Sequence, residues 1–267
     1  MNTIKLEVFD AHFHIIDPRF PLVPNHGYVP ERYISRDYLE RLEQYKLVGG
    51  AVVSGSFQAF DQDYLVNALG RLGSRFVGVT QLPASVSDEE ILELDLMGVR
   101  GIRFNLKRGG SENVNHLDTM ARRVYELTHW HTELYVDSRE LAGLFPQLSK
   151  LPAISIDHLG LSKAGFPDLL RLAETGAKVK ASGFGRVDFD VATALRDLYS
   201  ANPASLMFGT DLPSTRAARP YSDSDLKLVV DTLGETGSRR VLCENAVEFY
   251  RSGVEFATHQ KQGVGGH

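Results

Sequence analysis

The sequence predicts a single-domain α/β protein folded as a (β/α)8 (TIM) barrel, and three observations support this prediction. Short apolar segments with strand character alternate eight times with helical segments, at a spacing of about 30 residues. Such alternation is typical of parallel strands that are joined by helical crossovers. The length of 267 residues suits one barrel of this kind, which needs about 250 residues and is often undivided.

The same reasoning sets the expected domain limits. We place the barrel at residues 1–257 and expect residues 258–267, which are polar and rich in glycine, to form a flexible C-terminal tail. An open, doubly wound sheet is the alternative arrangement of alternating strands and helices. That fold calls for a glycine-rich phosphate loop after the first strand, whereas His-Phe-His stands there. The sequence therefore favours the closed barrel.

The predicted strands are short apolar runs, most of which end in polar residues. They span residues 8–16, 50–55, 75–82, 101–106, 133–137, 153–158, 177–182 and 206–211. The predicted helices span residues 35–45, 61–72, 87–94, 115–130, 139–151, 167–175 and 190–201, followed by closing helices over 223–233 and 241–250. We expect Ser35 to cap the first helix, and Ser87 with Glu90 to form a capping box on the third. Pro146 should kink or break the helix over 139–151.

Composition excludes several classes of protein. A hydrophobic fraction of 43% with 24% charged residues predicts a full core rather than disorder. The net charge of −5 and the absence of a basic stripe argue against nucleic acid as a partner. A lone cysteine, Cys243, excludes a disulfide framework and a cysteine-rich metal site. With neither a signal peptide in residues 1–20 nor a membrane-length apolar run, we expect a cytoplasmic protein.

The opening strand carries the strongest chemical signal. Successive side chains of a strand point to opposite faces, so Asp10, His12 and His14 share one face and apolar residues share the other. Two imidazoles placed two residues apart converge on one point beyond the strand end. That arrangement is suited to holding a metal ion or one reacting oxygen atom, whereas a pair of stacked surface histidines is the alternative.

The other strands also end in residues that can do chemistry, and in a barrel these ends meet at the active face. The candidates are Arg103, Asn105 and Arg108 after strand four, Tyr135 and Asp137 after strand five, Asp157 and His158 after strand six, Ser182 and Arg186 after strand seven, and Asp211 after strand eight. Structural roles compete with this interpretation. Asp211 is also placed to cap the segment after strand eight, and His158 to lie satisfied in the core. Arg103 is placed to pair inward with Asp137 or Asp211.

Non-catalytic roles also compete at other polar residues. Arg108 and Arg186 come after their strands in loops, where a solvated surface role competes with substrate binding. Four histidines without strand-end positions are expected at the surface or in helices, namely His26, His116, His129 and His131. Asp10 is expected to orient a histidine or an arginine rather than to react.

These motifs resemble a known family. His12-Phe-His14, Ile-Asp-His158-Leu-Gly and Phe-Gly-Thr-Asp211-Leu-Pro occur in the order and strand positions of the amidohydrolase superfamily, in particular its amidohydrolase-related branch. Gly-Ile-Arg103-Phe-Asn105, Ser182-Gly-Phe-Gly-Arg186 and the closing Glu-Asn-Ala segment are similar to the 2-pyrone-4,6-dicarboxylate lactonase type. The resemblance covers about residues 6–251 and implies a barrel fold and hydrolase activity.

The departures from the family bear on the metal content. Binuclear members bridge two metals with a carboxylated lysine or a glutamate from strand four, where this chain has the cation Arg103. A two-metal site is therefore not expected. One zinc ion held by His12, His14, His158 and Asp211 remains an option, since the ligand types suit it. The lactonases that the chain resembles work without bound metal, so we expect no obligatory cofactor.

The resemblance implies a hydrolase that opens a lactone ring on a small carboxylate-bearing substrate, such as a pyrone dicarboxylate, a muconolactone or a sugar lactone. Asp211 would activate water, and His12, His14 and His158 would polarise the carbonyl group. Arg103, Arg108 and Arg186, with Asn105 and Tyr135, would bind the anionic substrate. A zinc-dependent decarboxylase or C–C hydrolase and a non-catalytic carboxylate-binding barrel are the alternatives. The sequence leaves open the exact substrate and whether the chain forms a homo-oligomer.

Overall fold

Eight parallel strands form the centre of the molecule, in a computed structural model that describes residues 6–251. Each strand pairs with the next in chain order, from β1–β2 through to β7–β8, which confirms the predicted (β/α)8 barrel. The tail predicted at residues 258–267, and both ends of the predicted domain, lie outside the described residues.

The strands match the predicted segments closely, and helices lie after them on the outside. The strands are β1 Glu7–Phe13, β2 Lys46–Val53, β3 Phe76–Thr80, β4 Val99–Asn105, β5 His131–Tyr135, β6 Ile154–Ile156, β7 Lys178–Ala181 and β8 Leu206–Phe208. The α-helices are α1 Ser35–Arg41, α2 Asp63–Leu72, α3 Asp88–Leu96, α4 Leu117–Thr128, α5 Leu141–Leu148, α6 Phe166–Glu174, α7 Val191–Ala201, α8 Asp223–Arg239 and α9 Asn245–Tyr250. A five-residue π-helix, Arg240–Glu244, joins the last two.

Helix ends show where local sequence reasoning succeeds and where it fails. Ser87 caps α3 as predicted, because its hydroxyl accepts from the backbone N–H of Glu90 while the Glu90 carboxylate accepts from that of Ser87. The prediction that Ser35 caps α1 is wrong. Ile34 occupies the cap position, and Asp37 accepts from its backbone N–H at 2.9 Å. The acidic residue one turn inside the helix therefore replaces the expected serine.

The barrel closes where the segment after β8 meets β1. The backbone N–H of Asp211 donates to the carbonyl oxygen of His12 at 2.7 Å, and that of His14 donates to the carbonyl oxygen of Leu212 at 2.7 Å. Gly209 makes this approach sterically allowed, because a Cβ atom there would lie only 2.8 Å from the backbone nitrogen of His12. The closure thus places the first and last candidate motifs side by side.

A buried carboxylate secures the same closure. Asp10 accepts hydrogen bonds from the backbone N–H of Thr210 at 2.8 Å and from its hydroxyl at 2.6 Å. It also accepts from the hydroxyl of Tyr38 at 3.2 Å. Asp10 therefore orients the segment after β8 that carries Asp211, and not the side chain of a histidine or an arginine as expected.

Apolar side chains fill the layer between the strands and the helices, whereas charged side chains occupy the interior of the barrel. Arg103, Glu133, Asp157 and Lys180 are all buried there. Because an unpaired buried charge costs several kcal/mol, these groups must be matched with one another. None of the helices within residues 6–251 is long and apolar enough to cross a membrane.

Replacing Thr210 with valine keeps the side-chain shape but removes the hydroxyl that Asp10 accepts from. We expect the free energy of unfolding to fall by about 1–3 kcal/mol, the usual cost of a buried acceptor losing its donor. Urea denaturation of T210V beside wild type measures the change. The exposed Thr236 provides the matched control, since T236V should have little effect. Equal stability of T210V and wild type would mean that this link does not secure the closure.

Candidate active site

Four candidate residues converge at the C-terminal face of the barrel. Asp211 Oδ1 lies 4.0 Å from His12 Nε2, 3.8 Å from His14 Nε2 and 3.8 Å from His158 Nε2. All four side chains are almost completely buried. These separations are too long for direct hydrogen bonds, yet short enough for one oxygen atom of a bound molecule to bridge a pair.

Backbone conformation aims two of these side chains inward. His158 and Asp211 come shortly after the strands β6 and β8, and both have positive φ angles, of 49° and 61°. Residues other than glycine rarely adopt this region, at a cost of roughly 1–3 kcal/mol each, and they do so chiefly at functional sites. Leu159 and Leu161 beside His158, and Ser214 beside Asp211, also have positive φ angles, so the strained backbone extends over both segments that carry these side chains.

His14 presents a lone pair to the site. Its Nδ1 lies 2.7 Å from the carbonyl oxygen of Val53, and a carbonyl oxygen can only accept. Burial holds the pKa of His14 well below its usual value, so the ring is neutral near pH 7. A neutral imidazole that donates through Nδ1 has an unprotonated Nε2, which here faces Asp211.

His158 is also held neutral. Burial lowers the pKa of His158 well below its usual value. Its Nδ1 lies 3.0 Å from the hydroxyl of Ser182, and the ring of Tyr135 packs edge-on against it at 5.0 Å. The structure thus brings the strand-five and strand-seven candidates into contact with this histidine.

Arg186 holds the catalytic candidate Asp211. Its Nε donates to Asp211 Oδ2 at 2.6 Å, and its Nη2 donates to the carbonyl oxygen of Thr215 at 2.9 Å. One carboxylate oxygen of Asp211 is therefore occupied, while the other faces the three imidazoles. The cap role considered for Asp211 is not its main one, because its side chain is committed to this pair.

Arg103 is directed into the barrel, with partners other than those considered in the sequence. Its Nη2 donates to Asp157 Oδ2 at 2.6 Å, its Nη1 donates to the carbonyl oxygen of Ser54 at 2.8 Å, and its Nε lies 3.3 Å from Glu133 Oε1. Burial alone would raise the pKa of Asp157, but the positive charge of Arg103 holds it well below the usual value. The inward direction considered as an alternative is therefore correct, but Asp157 and Glu133 are the partners in place of Asp137 or Asp211.

The remaining predicted residues line the cleft above these groups. Arg108 and Asn105 lie on one wall, where Asn105 Oδ1 accepts from the backbone N–H of Arg108 at 2.9 Å. Asn105 therefore positions the loop that carries Arg108. Tyr135 lies against the Arg103 guanidinium, with 5.4 Å between the guanidinium carbon and the ring centre.

One cleft residue, Arg216, was missed. Its Nη1 donates to Asn25 Oδ1 at 3.0 Å, its Nη2 donates to the hydroxyl of Ser56 at 3.1 Å, and its guanidinium carbon lies 4.7 Å from the ring centre of Tyr28. Burial and then the nearby Arg108 lower its pKa. Arg216 comes several residues after β8, so strand-end reasoning passed over it. The cleft is thus lined by four arginines, Arg103, Arg108, Arg186 and Arg216.

Two residues beneath the site were also missed. Glu133 and Lys180 are completely buried and contact each other. The signal that could have found them is an ionisable residue within a predicted barrel strand, because such a side chain on the barrel interior must have a charged partner. A related expectation was wrong, because His131 is buried on β5, with Nε2 3.8 Å from Glu133 Oε2.

The protonation of His12 decides whether the site can hold one divalent metal ion. His12, His14, His158 and Asp211 are the ligand types that suit zinc, and among residues 6–251 neither His12 Nε2 nor Asp211 Oδ1 has a hydrogen-bond partner. Lys180 Nζ, however, lies 3.2 Å from Nδ1 of His12. An ammonium that donates to Nδ1 leaves the ring proton on Nε2, the atom that would have to bind the metal. The residues present therefore do not fit a metal ion held through His12.

Comparisons with known proteins identify the family of this chain. A family model described as Amidohydrolase matches residues 9–252. A 2-pyrone-4,6-dicarboxylate hydrolase of Comamonas testosteroni is 27% identical, over 90% of this chain and 89% of that protein. A 4-sulfomuconolactone hydrolase of Hydrogenophaga intermedia is 26% identical, over 89% of this chain and 86% of that protein.

Solved structures share the fold. A crystal structure of a probable 2-pyrone-4,6-dicarboxylic acid hydrolase from Acinetobacter baumannii, with citric acid bound, has a TM-score of 0.79 at 21% identity, covering 91% of this chain and 99% of that one. An apo structure from Agrobacterium tumefaciens has a TM-score of 0.78 at 21% identity, covering 91% of this chain and 95% of that one. At this level of identity the likeness establishes the barrel alone.

Replacing Arg216 with glutamine tests whether the cleft binds anions. We expect the affinity for a small dicarboxylate such as glutarate to fall about tenfold or more, because a charge-assisted hydrogen bond contributes roughly 1.5–3 kcal/mol. Titration calorimetry gives the affinities. Arg122, an exposed arginine on α4 paired with Asp118, supplies the control variant R122Q. Unchanged affinity in R216Q would remove Arg216 from the anion site.

Proposed function

Because the chain belongs to the amidohydrolase family, we propose that its hydrolase activity opens the ring of a small lactone that carries carboxylate or similar anionic groups. One observation carries the proposal. A buried carboxylate oxygen of Asp211 faces three imidazole nitrogens at 3.8–4.0 Å, beneath a cleft lined by four arginines. A carboxylate base can activate water for attack on a carbonyl group, and imidazole rings beside it can hydrogen-bond to the reacting oxygen atoms.

Asp211 is the general base in this mechanism. Its Oδ1 takes a proton from water while the water oxygen bonds to the ring carbonyl carbon. Arg186 holds Oδ2 at 2.6 Å, which keeps the carboxylate oriented. When the tetrahedral intermediate collapses, the ring C–O bond breaks and Asp211 returns the proton to the leaving oxygen. The products are the ring-opened hydroxy or keto acid and a regenerated carboxylate.

The three imidazoles have two different roles in this mechanism. His12 and His158 are placed to stabilise the negative oxygen that develops on the attacked carbonyl. His14, whose Nδ1 donates to Val53, presents an acceptor through Nε2 and is placed to orient the attacking water. The single role expected for all three histidines is therefore divided here between donors and an acceptor.

The arginines select the substrate. Arg108 and Arg216 line the cleft beyond the reacting centre, where guanidinium groups bind carboxylates through charge-assisted, often bidentate hydrogen bonds. Arg103 and Arg186 also face the cleft but already hold Asp157 and Asp211. Two relatives support an anionic lactone, since their names specify a pyrone dicarboxylate and a sulfomuconolactone as substrates.

A panel of lactones tests the function. The substrates tested are pyrone dicarboxylates, muconolactones, sugar lactones and neutral lactones. Hydrolysis is measured as proton release, in the presence of either a chelator or added Zn²⁺. We expect turnover of at least one anionic lactone, weaker turnover of neutral ones, and no loss with the chelator. If no lactone turns over under any condition, the proposal fails. Loss of activity with the chelator would favour the metal-dependent alternative, a decarboxylase or C–C hydrolase.

Replacing Asp211 with asparagine tests the base. We expect kcat to fall by about 10²–10⁴, the usual contribution of a general base, while circular dichroism and anion binding stay near those of wild type. The exposed Asp231, paired with Lys227 on α8, supplies the control D231N, which should retain full activity. A D211N enzyme with a near-normal rate would refute the assignment.

A further inference from the structure

We propose that Lys180 is a positioning residue that fixes the tautomer of His12. It donates a hydrogen bond to Nδ1 of His12 and thereby keeps the ring proton on Nε2, facing Asp211. The proposal deepens the proposed function, on which it rests for the catalytic use of that proton. The tautomer itself is observable whether or not a substrate is known.

The contact between Lys180 and His12 decides where the proton lies. Lys180 is on β7 and His12 on β1, and both are completely buried. Lys180 Nζ lies 3.2 Å from His12 Nδ1. An ammonium has three donors and no acceptor, and a neutral imidazole has one donor nitrogen and one acceptor nitrogen. Nδ1 must therefore accept, and Nε2 carries the proton.

Buried carboxylates keep Lys180 in this position. Its ammonium contacts Glu133 Oε2 directly and lies 3.7 Å from Asp157 Oδ1. Arg103, which bonds Asp157, adds a second positive charge, so two cations balance two carboxylates inside the barrel. A buried pair of this kind is held strongly, since removing one partner leaves an uncompensated charge.

The opposite tautomer has a candidate acceptor in Asp157. Its Oδ1 lies 3.3 Å from His12 Nδ1, but within the part of the chain that the structure describes this oxygen accepts no hydrogen bond. Its other oxygen is taken by Arg103 at 2.6 Å. Lys180 and Asp157 thus compete for Nδ1, and Lys180 holds it. Without the ammonium, Asp157 would draw the proton to Nδ1.

The two histidines of the opening motif consequently have opposite tautomers. His14 donates through Nδ1 to Val53 and presents a lone pair at Nε2, whereas His12 presents a proton at Nε2. One ring is therefore an acceptor for water and the other a donor to a developing oxyanion. This assignment also explains why the residues do not fit a metal ion held through His12, which would need a lone pair on Nε2 of that ring.

Nitrogen NMR tests the assignment directly. Long-range ¹H–¹⁵N spectra of protein labelled at histidine distinguish protonated from unprotonated ring nitrogens, and the His12 signals are assigned by their loss in H12Q. In wild type we expect Nε2 of His12 to be protonated and Nδ1 not. A protonated Nδ1 on His12 in wild type would overturn the proposal, and this measurement needs no other variant to fold.

A double variant then tests the cause. Lys180→Met with Glu133→Gln removes the ammonium and its carboxylate partner together, so no unpaired charge remains. We expect the His12 proton to move to Nδ1 in this variant, while K178M, which changes the half-buried lysine two residues earlier on β7, leaves it on Nε2. An unchanged tautomer in the double variant would show that Lys180 does not set it.

Two further readouts separate positioning from simple structural support. With a lone pair now on Nε2 of His12 as well as His14, the double variant should bind about one Zn²⁺ per chain by calorimetry, whereas wild type should not. On a lactone that wild type hydrolyses, kcat should fall roughly 10²-fold with KM less affected, as on loss of one oxyanion donor. Zinc binding by wild type that is lost in H12Q would show an unprotonated Nε2 on His12 and would overturn the proposal. If the tautomers are as expected but no lactone reacts, the proposed function fails and the assignment of Lys180 stands.

Discussion

The closure of the barrel between β1 and the segment after β8 is the constraint on which the site depends. Two backbone hydrogen bonds, from Asp211 to His12 and from His14 to Leu212, both 2.7 Å long, bring segments from opposite ends of the chain into contact. They carry no chemistry themselves. Because backbone bonds are directional, they nonetheless fix where the carboxylate lies relative to both imidazoles. A shift of one residue would turn every side chain of β1 to the other face.

Charge inside the barrel is the second determinant. Arg103, Glu133, Asp157 and Lys180 form a balanced cluster directly beneath His12, and Arg186 balances Asp211 above it. Replacing such a cluster with apolar residues often leaves stability unchanged or improves it, so stability alone does not account for its presence here. Its contacts with Nδ1 of His12 link the cluster to the reactive face. The charged cluster inside the barrel therefore influences the hydrogen bonding of His12 as well as supporting the site structurally.

Much of this arrangement could be predicted from the sequence, and the reasons for the omissions are physical. The alternation of strands and helices was enough to predict the barrel. The positions of strand ends were enough to predict that four side chains meet, namely those of His12, His14, His158 and Asp211. The partners of Arg103 depend on the register between strands, which local pattern does not encode. Lys180 and Glu133 find each other across the interior from β7 and β5. Arg216 lies in a loop, where neither periodicity nor a strand end marks a position.

The central claim is that the attacked carbonyl lies between Asp211 and the imidazole rings, with the anionic groups of the substrate on the arginines. A crystal structure of the D211N variant with a slowly reacting anionic lactone tests it most directly. We expect the ring carbonyl oxygen to lie about 2.7–3.1 Å from Nε2 of His12 and the substrate carboxylates to lie on Arg108 and Arg216. A lactone bound elsewhere, or with its carbonyl directed away from His12, would contradict the account.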